Sequence, residues 1–346
     1  MRRPSSVDAA ASVSEEAMSS FAIGFDRRDR DRLHTMWDSI LSSERWSEGP
    51  FTARFEELWS QWNGLPSVAV ASWTGGAMAV LDFIDVRDQV VLCPSNTFMA
   101  TPLSVLKAGG RVEFVDCNRA DLCMSYEHFV QMAQRHNPKA VWIVHIGGHI
   151  AFEVEQIAAY CRERSIWLLE DCAHGHGAEW NGRKPGTWGD AGVYSFYATK
   201  TISTGEGGML VSRHEPLVAF ARAYRNYGKS SYTVEGLNYR MSEFTAALGC
   251  LQVERMPEIV AWKNEVARSV LDPRYRARVI LPAGMRSGYY KYIVFEAIER
   301  SSGKVYDEPC HRLLKHDVDL PNTDWVAGNH CCVPLYYHGG RDAARA

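Results

Sequence analysis

The sequence predicts an α/β protein, a mostly parallel sheet covered by helices and followed by a smaller C-terminal α+β part. Two observations carry this. From about residue 68 to residue 171, short apolar runs alternate with stretches of helical length, the pattern of repeated strand–helix–strand units. One of those runs, IWLLED at 166–171, is apolar up to its acidic end, as expected of a parallel strand buried on both faces.

The elements follow in order. Residues 28–44 read as a helix because Leu33, Met36, Trp37 and Ile40 recur at helical spacing. A second amphipathic helix covers 52–62. VAVAS (68–72) is a strand and GGAMAVLDFI (75–84) a helix. QVVLCP (89–94) is a strand and TPLSVLKAG (101–109) a helix. RVEFVD (111–116) and YEHFVQMAQRH (126–136) repeat the pair, as do AVWIVHI (140–146) and VEQIAAYCRERS (154–165). AGVYSF (191–196) and GGMLVS (207–212) follow with little chain between them, so one of the two is expected to pair antiparallel. Beyond about residue 250 the alternation fades. A long helix over 241–270, interrupted near Pro257, is expected to lead into ARVILP, YYKYIVFEAI and CCVPL. The expected organisation is a mobile tail over 1–20, a large domain over 21–250 and a small domain over 251–346.

Composition narrows the partners. The chain has 346 residues, 46% hydrophobic and 23% charged, with a net charge of −3. No basic stripe interleaved with aromatics is present, which argues against nucleic acid. Nine cysteines occur without a CxxC pair or a spaced Cys/His set, so neither a zinc site nor a disulfide framework is indicated. Free thiols in a reducing cytoplasm are the expectation. The N-terminus lacks the apolar core of a signal peptide, and no apolar run reaches the ~18 residues of a membrane span.

Two residues point to chemistry. Lys200 closes SFYATK (195–200) and leads into TGEGG (204–208); Asp171 ends the strand IWLLED. The carboxyl ends of parallel strands are where open α/β sheets build their sites. A lysine and an aspartate on two strand ends are what a pyridoxal phosphate enzyme needs. The amine condenses with the aldehyde, and the carboxylate pairs with the pyridinium nitrogen so that the ring accepts electrons. Each residue alone has a plainer reading: a lysine beside a loop is usually solvated, and an aspartate ending a strand usually caps a turn or helix. The run Ser72-Trp73-Thr74-Gly75-Gly76-Ala77 is a strand-to-helix turn rich in small residues, where free amides can face a phosphate.

The surrounding text carries more. EDCAHGHGAEWNGRKPGTWGDAGVYSFYATKTISTGEGGMLVS (170–212) closely resembles the core of the sugar-nucleotide aminotransferases, the DegT/DnrJ-type family of fold-type I pyridoxal phosphate enzymes. PSNTFMAT (94–101), LNYRMSEFTAALGCLQVERM (237–256) and CVPLYYH (332–338) extend the resemblance over about 48–338. The resemblance implies that Lys200 anchors pyridoxal 5'-phosphate and moves the proton, with Asp171 as pyridinium partner. It implies that Phe98 stacks on the ring, that His174 lies near the ring's 3-oxygen or face, and that Ser195 donates to the phosphate. The family's Ser-Gly-Thr phosphate triplet falls on Trp73-Thr74-Gly75, a departure in which Gly75 replaces the threonine and Thr74 stands in for it. Asn238, by itself a turn residue, is implied to reach across a homodimer to the partner's cofactor phosphate. Tyr336 and Tyr337 stand where relatives carry a PLH-type segment, so that histidine is absent or displaced to His338. The chain also ends at Ala346, short of the C-terminal helix that relatives usually add.

The implied reaction moves an amino group from an amino acid, L-glutamate, to a keto sugar on a nucleoside diphosphate. A cyclitol-ketone aminotransferase would use the same residues. The family's sugar dehydratases replace the lysine with histidine, so Lys200 argues against that chemistry. The Lys200–Asp171 pair likewise argues against a non-catalytic regulator on the same scaffold.

Overall fold

The computed structural model describes residues 23–229 and 231–337, so the expected tail and His338 lie outside the described residues. Helix α1 (Arg27–Ser43) starts at a reciprocal cap: Asp26 accepts from the Arg28 amide, and the Asp29 carboxylate accepts from the Asp26 amide. Helix α2 (Pro50–Asn63) begins on proline, and the carboxylate of Glu243 takes the amides of Gly49, Phe51 and Thr52 there.

The alternating part follows as read. Strand β1 (Ser67–Val70) leads to α3 (Trp73–Phe83), β2 (Val90–Pro94) to α4 (Ala100–Lys107), and β3 (Arg111–Val115) to α5 (Tyr126–His136). Strand β4 (Ala140–Val144) precedes α6 (Val154–Glu163), then come β5 (Trp167–Asp171), a short β6 (Glu179–Trp180), β7 (Ala191–Ser195) and β8 (Gly208–Ser212). The seven-stranded sheet has the order β1-β8-β7-β5-β4-β2-β3. Strand β8 runs antiparallel to both neighbours, and the other six strands share one direction. The chain between Ser195 and Gly208 is too short to hold a crossover helix, which is why β8 returns antiparallel. The carboxyl ends of β1, β2, β4, β5 and β7 therefore open on one edge.

Both faces of the sheet are covered. Ala140 and Trp142 of β4 pack with Val80 and Val105, beside Leu217 of α7 (Glu215–Tyr224), a helix the sequence reading missed. Val141 and Ile143 pack on the opposite face with Phe129, Val154 and Ile157. Farther along that face, Tyr194 and Phe196 meet Phe55, Trp59 and Val253 of α8 (Glu243–Val266).

Helix α8 corrects one expectation. It is not interrupted at Pro257 but runs through it, with Met256, Ile259 and Val260 all buried and holding that turn against the sheet. The regular pattern instead gives way at Ala267–Leu271, a π-helical turn before the single turn α9 (Asp272–Arg274). Strand β9 (Met285–Arg286) then pairs with β6. Strand β10 (Tyr292–Val294) pairs with β11 (Cys331–Val333), and the short α10 (Cys310–Leu313) and α11 (Pro321–Asn329) lie between them. Val266, Leu271, Tyr292, Val294 and Val333 form a separate apolar cluster there. All nine cysteines are free. Among the described residues no helix is long and apolar enough to cross a membrane.

One docking matters for the site. The Ser287 hydroxyl and the Gly288 amide both donate to the Gly148 carbonyl, at 2.9 and 2.7 Å, and the Lys291 amide donates to Gly147 at 2.9 Å. Gly148 has φ 102°, and a Cβ there would lie 2.6 Å from the Tyr290 nitrogen, so only glycine lets this segment seat on the turn after β4.

Candidate active site

Asp171 is buried at the end of β5. The Thr101 hydroxyl donates to its Oδ2 at 2.9 Å, and the Ala173 amide donates to Oδ1 at 3.0 Å. Burial pushes its carboxyl up, opposed by those two donors and by the charge of Lys200. The neighbouring Glu170 points the other way, as successive strand residues must. It is occupied by the amides of Gly186, Trp188 and Gly189 and by His145 Nε2.

Lys200 lies beyond β7, its amide bonded to the Tyr197 carbonyl at 2.9 Å. Its ammonium sits 4.8 Å from the centroid of the Tyr290 ring, a cation–π contact. Burial lowers its pKa from 10.5 to about 8; Asp171 opposes that shift and Lys291 adds to it. The Tyr290 ring also stacks on His174, with centroids 4.1 Å apart, and its hydroxyl meets Thr199 Oγ1 at 3.1 Å. His174 Nδ1 accepts from the Gly147 amide at 3.3 Å. Burial, with the charges of Lys200 and Lys291 behind it, holds His174 well below its usual pKa and therefore neutral.

The other candidates line the same strand-end edge. Phe98 is 66% exposed, a ring with an open face one helical turn before Thr101. Ser195 is buried at the end of β7, and its hydroxyl oxygen accepts from the Tyr197 amide at 3.3 Å. At the start of α3, Thr74 is exposed, and Ser72 caps the helix by accepting from the Gly75 amide at 3.3 Å. A Cβ on Gly75 would lie 2.9 Å from the Tyr239 ring. Tyr239 thus occupies the room that a larger side chain at this position would need.

Asn238 does not join the group. Its side chain is exposed and accepts from the Arg240 amide at 3.4 Å. Sequence reading also passed over four residues that the fold brings in. Thr101 stood inside the PSNTFMAT block, one turn from Phe98, and that spacing was the available signal. Tyr290, Lys291 and Lys263 come from distant chain, where nothing local marks them.

The comparisons with known proteins bear on this geometry. The DegT/DnrJ/EryC1/StrS aminotransferase family profile matches residues 28–273. The chain belongs to that family. This DegT-family chain is 30% identical to a dTDP-3-amino-3,4,6-trideoxy-alpha-D-glucose transaminase of Micromonospora megalomicea, over 92% of each chain. It is 29% identical to a GDP-perosamine synthase of Escherichia coli O157:H7, over 69% of this chain and 66% of that one. Among solved structures, the aminotransferase TlmJ of Streptoalloteichus hindustanus superposes with a TM-score of 0.83 at 27% identity, covering 93% and 94% of the two chains. The fold is that of these aminotransferases, and the matched span contains Thr74, Gly75, Phe98, Asp171, His174, Ser195, Lys200 and Asn238 but not Tyr290 or Lys291.

Proposed function

We propose that the protein transfers an amino group from an amino acid, L-glutamate by family analogy, to a keto sugar carried on a nucleoside diphosphate, using pyridoxal phosphate. The observation that carries this reading is the placement of Lys200, just beyond β7, near the buried carboxylate that ends the adjacent strand β5, close enough that each charge acts on the other. The donor set fits the cofactor's chemistry. Lys200 suits the aldehyde, Asp171 the ring nitrogen, Phe98 and His174 the ring, and Ser195 with the α3 terminus (Thr74, Gly75) the phosphate. When bound, pyridoxal phosphate supplies an aldehyde and a ring that accepts electrons.

The residues then have defined tasks. Lys200 would hold the cofactor through its amine and, once that amine is free, would serve as the base and acid at the donor's α-carbon. Asp171 would lie where its carboxylate can favour a protonated ring nitrogen. His174, neutral and fixed by Gly147, presents a polar but uncharged group. With two substrates sharing one site in turn, ping-pong kinetics are expected. The deciding experiment is incubation with L-glutamate and a panel of nucleotide-linked keto sugars and cyclitol ketones, read by mass spectrometry of the aminated product. A cyclitol product alone would replace the acceptor assignment; no product from any donor would end the reading.

The lowered pKa of Lys200 makes a separate prediction. Only the neutral amine attacks the aldehyde, so capture of pyridoxal phosphate by the cofactor-free protein should rise about tenfold per pH unit below 8 and level off above it. Covalent labelling after borohydride reduction measures this. A rise that continues to pH 10 would show an ordinary lysine.

We assign Asn238 to the cofactor phosphate of a second copy of this chain, a reading supported by its exposure and by the family resemblance. Asn238→Ala should then weaken cofactor binding, and mixing it with Lys200→Ala should restore activity. Each heterodimer would hold one site with both lesions and one with neither. If Asn238 only shapes its own turn, the mixture stays as inactive as its parts.

A further inference from the structure

We propose that Lys291 binds the α-carboxylate of the amino donor, an inference that rests on the aminotransfer reading above. Two ammonium groups share one aromatic ring: Lys200 Nζ lies 4.8 Å and Lys291 Nζ 5.4 Å from the centroid of Tyr290. The ring is held in place by stacking on His174 at 4.1 Å and by its hydroxyl on Thr199. The backbone of Lys291 is fixed by its hydrogen bond to Gly147, the residue whose own amide donates to His174. Lys291 is therefore built into the wall of the site rather than carried on a free loop.

No carboxylate among the described residues forms an ion pair with it. Among the described residues every ion pair has an arginine or a histidine as its cation. A third ammonium, Lys263 of α8, donates to the Tyr289 carbonyl at 2.9 Å beneath the same segment. The charge of Lys291 adds to burial in pushing Lys200 and Lys263 down, so the three amines stand close enough to repel one another and an anion placed among them is favoured. Such a cluster selects an anion.

The chemistry says which anion. The donor's amine must come to the place that the Lys200 amine holds, and its α-carboxylate is one carbon away from that amine. The carboxylate thus lies within a side chain's reach of Lys200, where Lys291 stands across one ring. A sugar diphosphate is separated from the reacting carbonyl by the sugar ring and belongs farther out. A charge-assisted hydrogen bond from ammonium to carboxylate then orients the α-carbon toward the Lys200 amine.

The test compares L-glutamate with L-isoglutamine, its α-amide, in the donor half-reaction of wild type, Lys291→Met and Lys291→Arg, each first loaded with cofactor. Wild type should require about 10- to 100-fold more isoglutamine than glutamate for half-saturation. That preference, read as the ratio of the two donors within each variant so that the shift of Lys200 cancels, should collapse to within about threefold in Lys291→Met and return in Lys291→Arg. A second readout needs no turnover. In the cofactor-free Lys291→Met protein, the Lys200 amine should titrate at higher pH than the wild-type value of about 8, because a neighbouring cation is gone. A preserved glutamate preference overturns the proposal. So does a loss confined to the nucleotide-sugar half-reaction, which would hand Lys291 to the diphosphate. Wild type that never holds cofactor on Lys200 ends the functional reading itself; a loaded wild type with an indifferent Lys291→Met ends this inference alone.

Discussion

Lys200→Ala is expected to leave a folded protein with no measurable aminotransfer. The side chain contributes little to the fold. Its ammonium contacts the Tyr290 ring and forms no ion pair among the described residues, while the Lys200 amide keeps its bond to Tyr197. Removing a poorly solvated charge relieves its burial while Asp171 loses a favourable neighbouring charge, so the melting temperature should change little. The chemistry loses two things at once. General acid–base transfer is worth about 10²–10⁴ in rate, and the covalent anchor that orients the cofactor disappears with it, so turnover should fall by at least ~10⁴. Mass spectrometry after borohydride reduction should find cofactor on wild type and none on the variant. Lys200→Arg serves as the control for charge: it restores a cation beside Tyr290 but cannot condense with an aldehyde, and it should be equally inactive. Either variant turning over within tenfold of wild type would remove Lys200 from the reaction.

Most of the large sheet was legible because local pattern and global position agree there. IWLLED, AVWIVHI and QVVLCP are apolar on both faces, and their structure buries both faces. Pairing direction was legible where loop length decides it, as for β8. What the sequence hid was tertiary. Pro257 reads as a break, yet the buried residues around it hold α8 continuous, since packing outweighs one missing hydrogen bond. Within the candidate site, Asp171 and Lys200 were visible at strand ends. The aromatic and cationic wall formed by Tyr290 and Lys291 was not, because it depends on Ser287 and Gly288 seating on Gly148 some 140 residues away. Gly75 is a mixed case. Its place in a turn of small residues was readable, but the ring of Tyr239 that crowds it was not.

Asp171→Asn should produce a protein that captures the cofactor on Lys200 but transfers amines slowly. The substitution nearly preserves shape, so the outcome turns on charge and hydrogen bonds. Asp171 accepts from the Thr101 hydroxyl and the Ala173 amide. An asparagine can keep the Ala173 bond through its oxygen, and Thr101 can rotate to accept from the new amide nitrogen while donating to Thr97 Oγ1, 3.0 Å away. Both existing hydrogen bonds can then be kept, and the stability loss should stay within about 1 kcal/mol. The charge has no such substitute. A neutral amide cannot hold a pyridine nitrogen protonated, and losing one preorganised charge of this kind typically costs ~10²–10³ in rate. The variant should also change Lys200 in a defined direction. Asp171 raises the Lys200 pKa against burial, so its removal should move cofactor capture by the apoprotein to a midpoint below about 8. Thr101→Val isolates the two effects, since it removes a hydrogen bond but leaves the carboxylate charged; its rate should fall far less than that of Asp171→Asn. Stopped-flow measurement of both half-reactions checks the rate, and borohydride trapping across pH checks the midpoint. If Asp171→Asn works within twofold of wild type, or slows no more than Thr101→Val, the carboxylate is a structural cap and the ring nitrogen needs another partner.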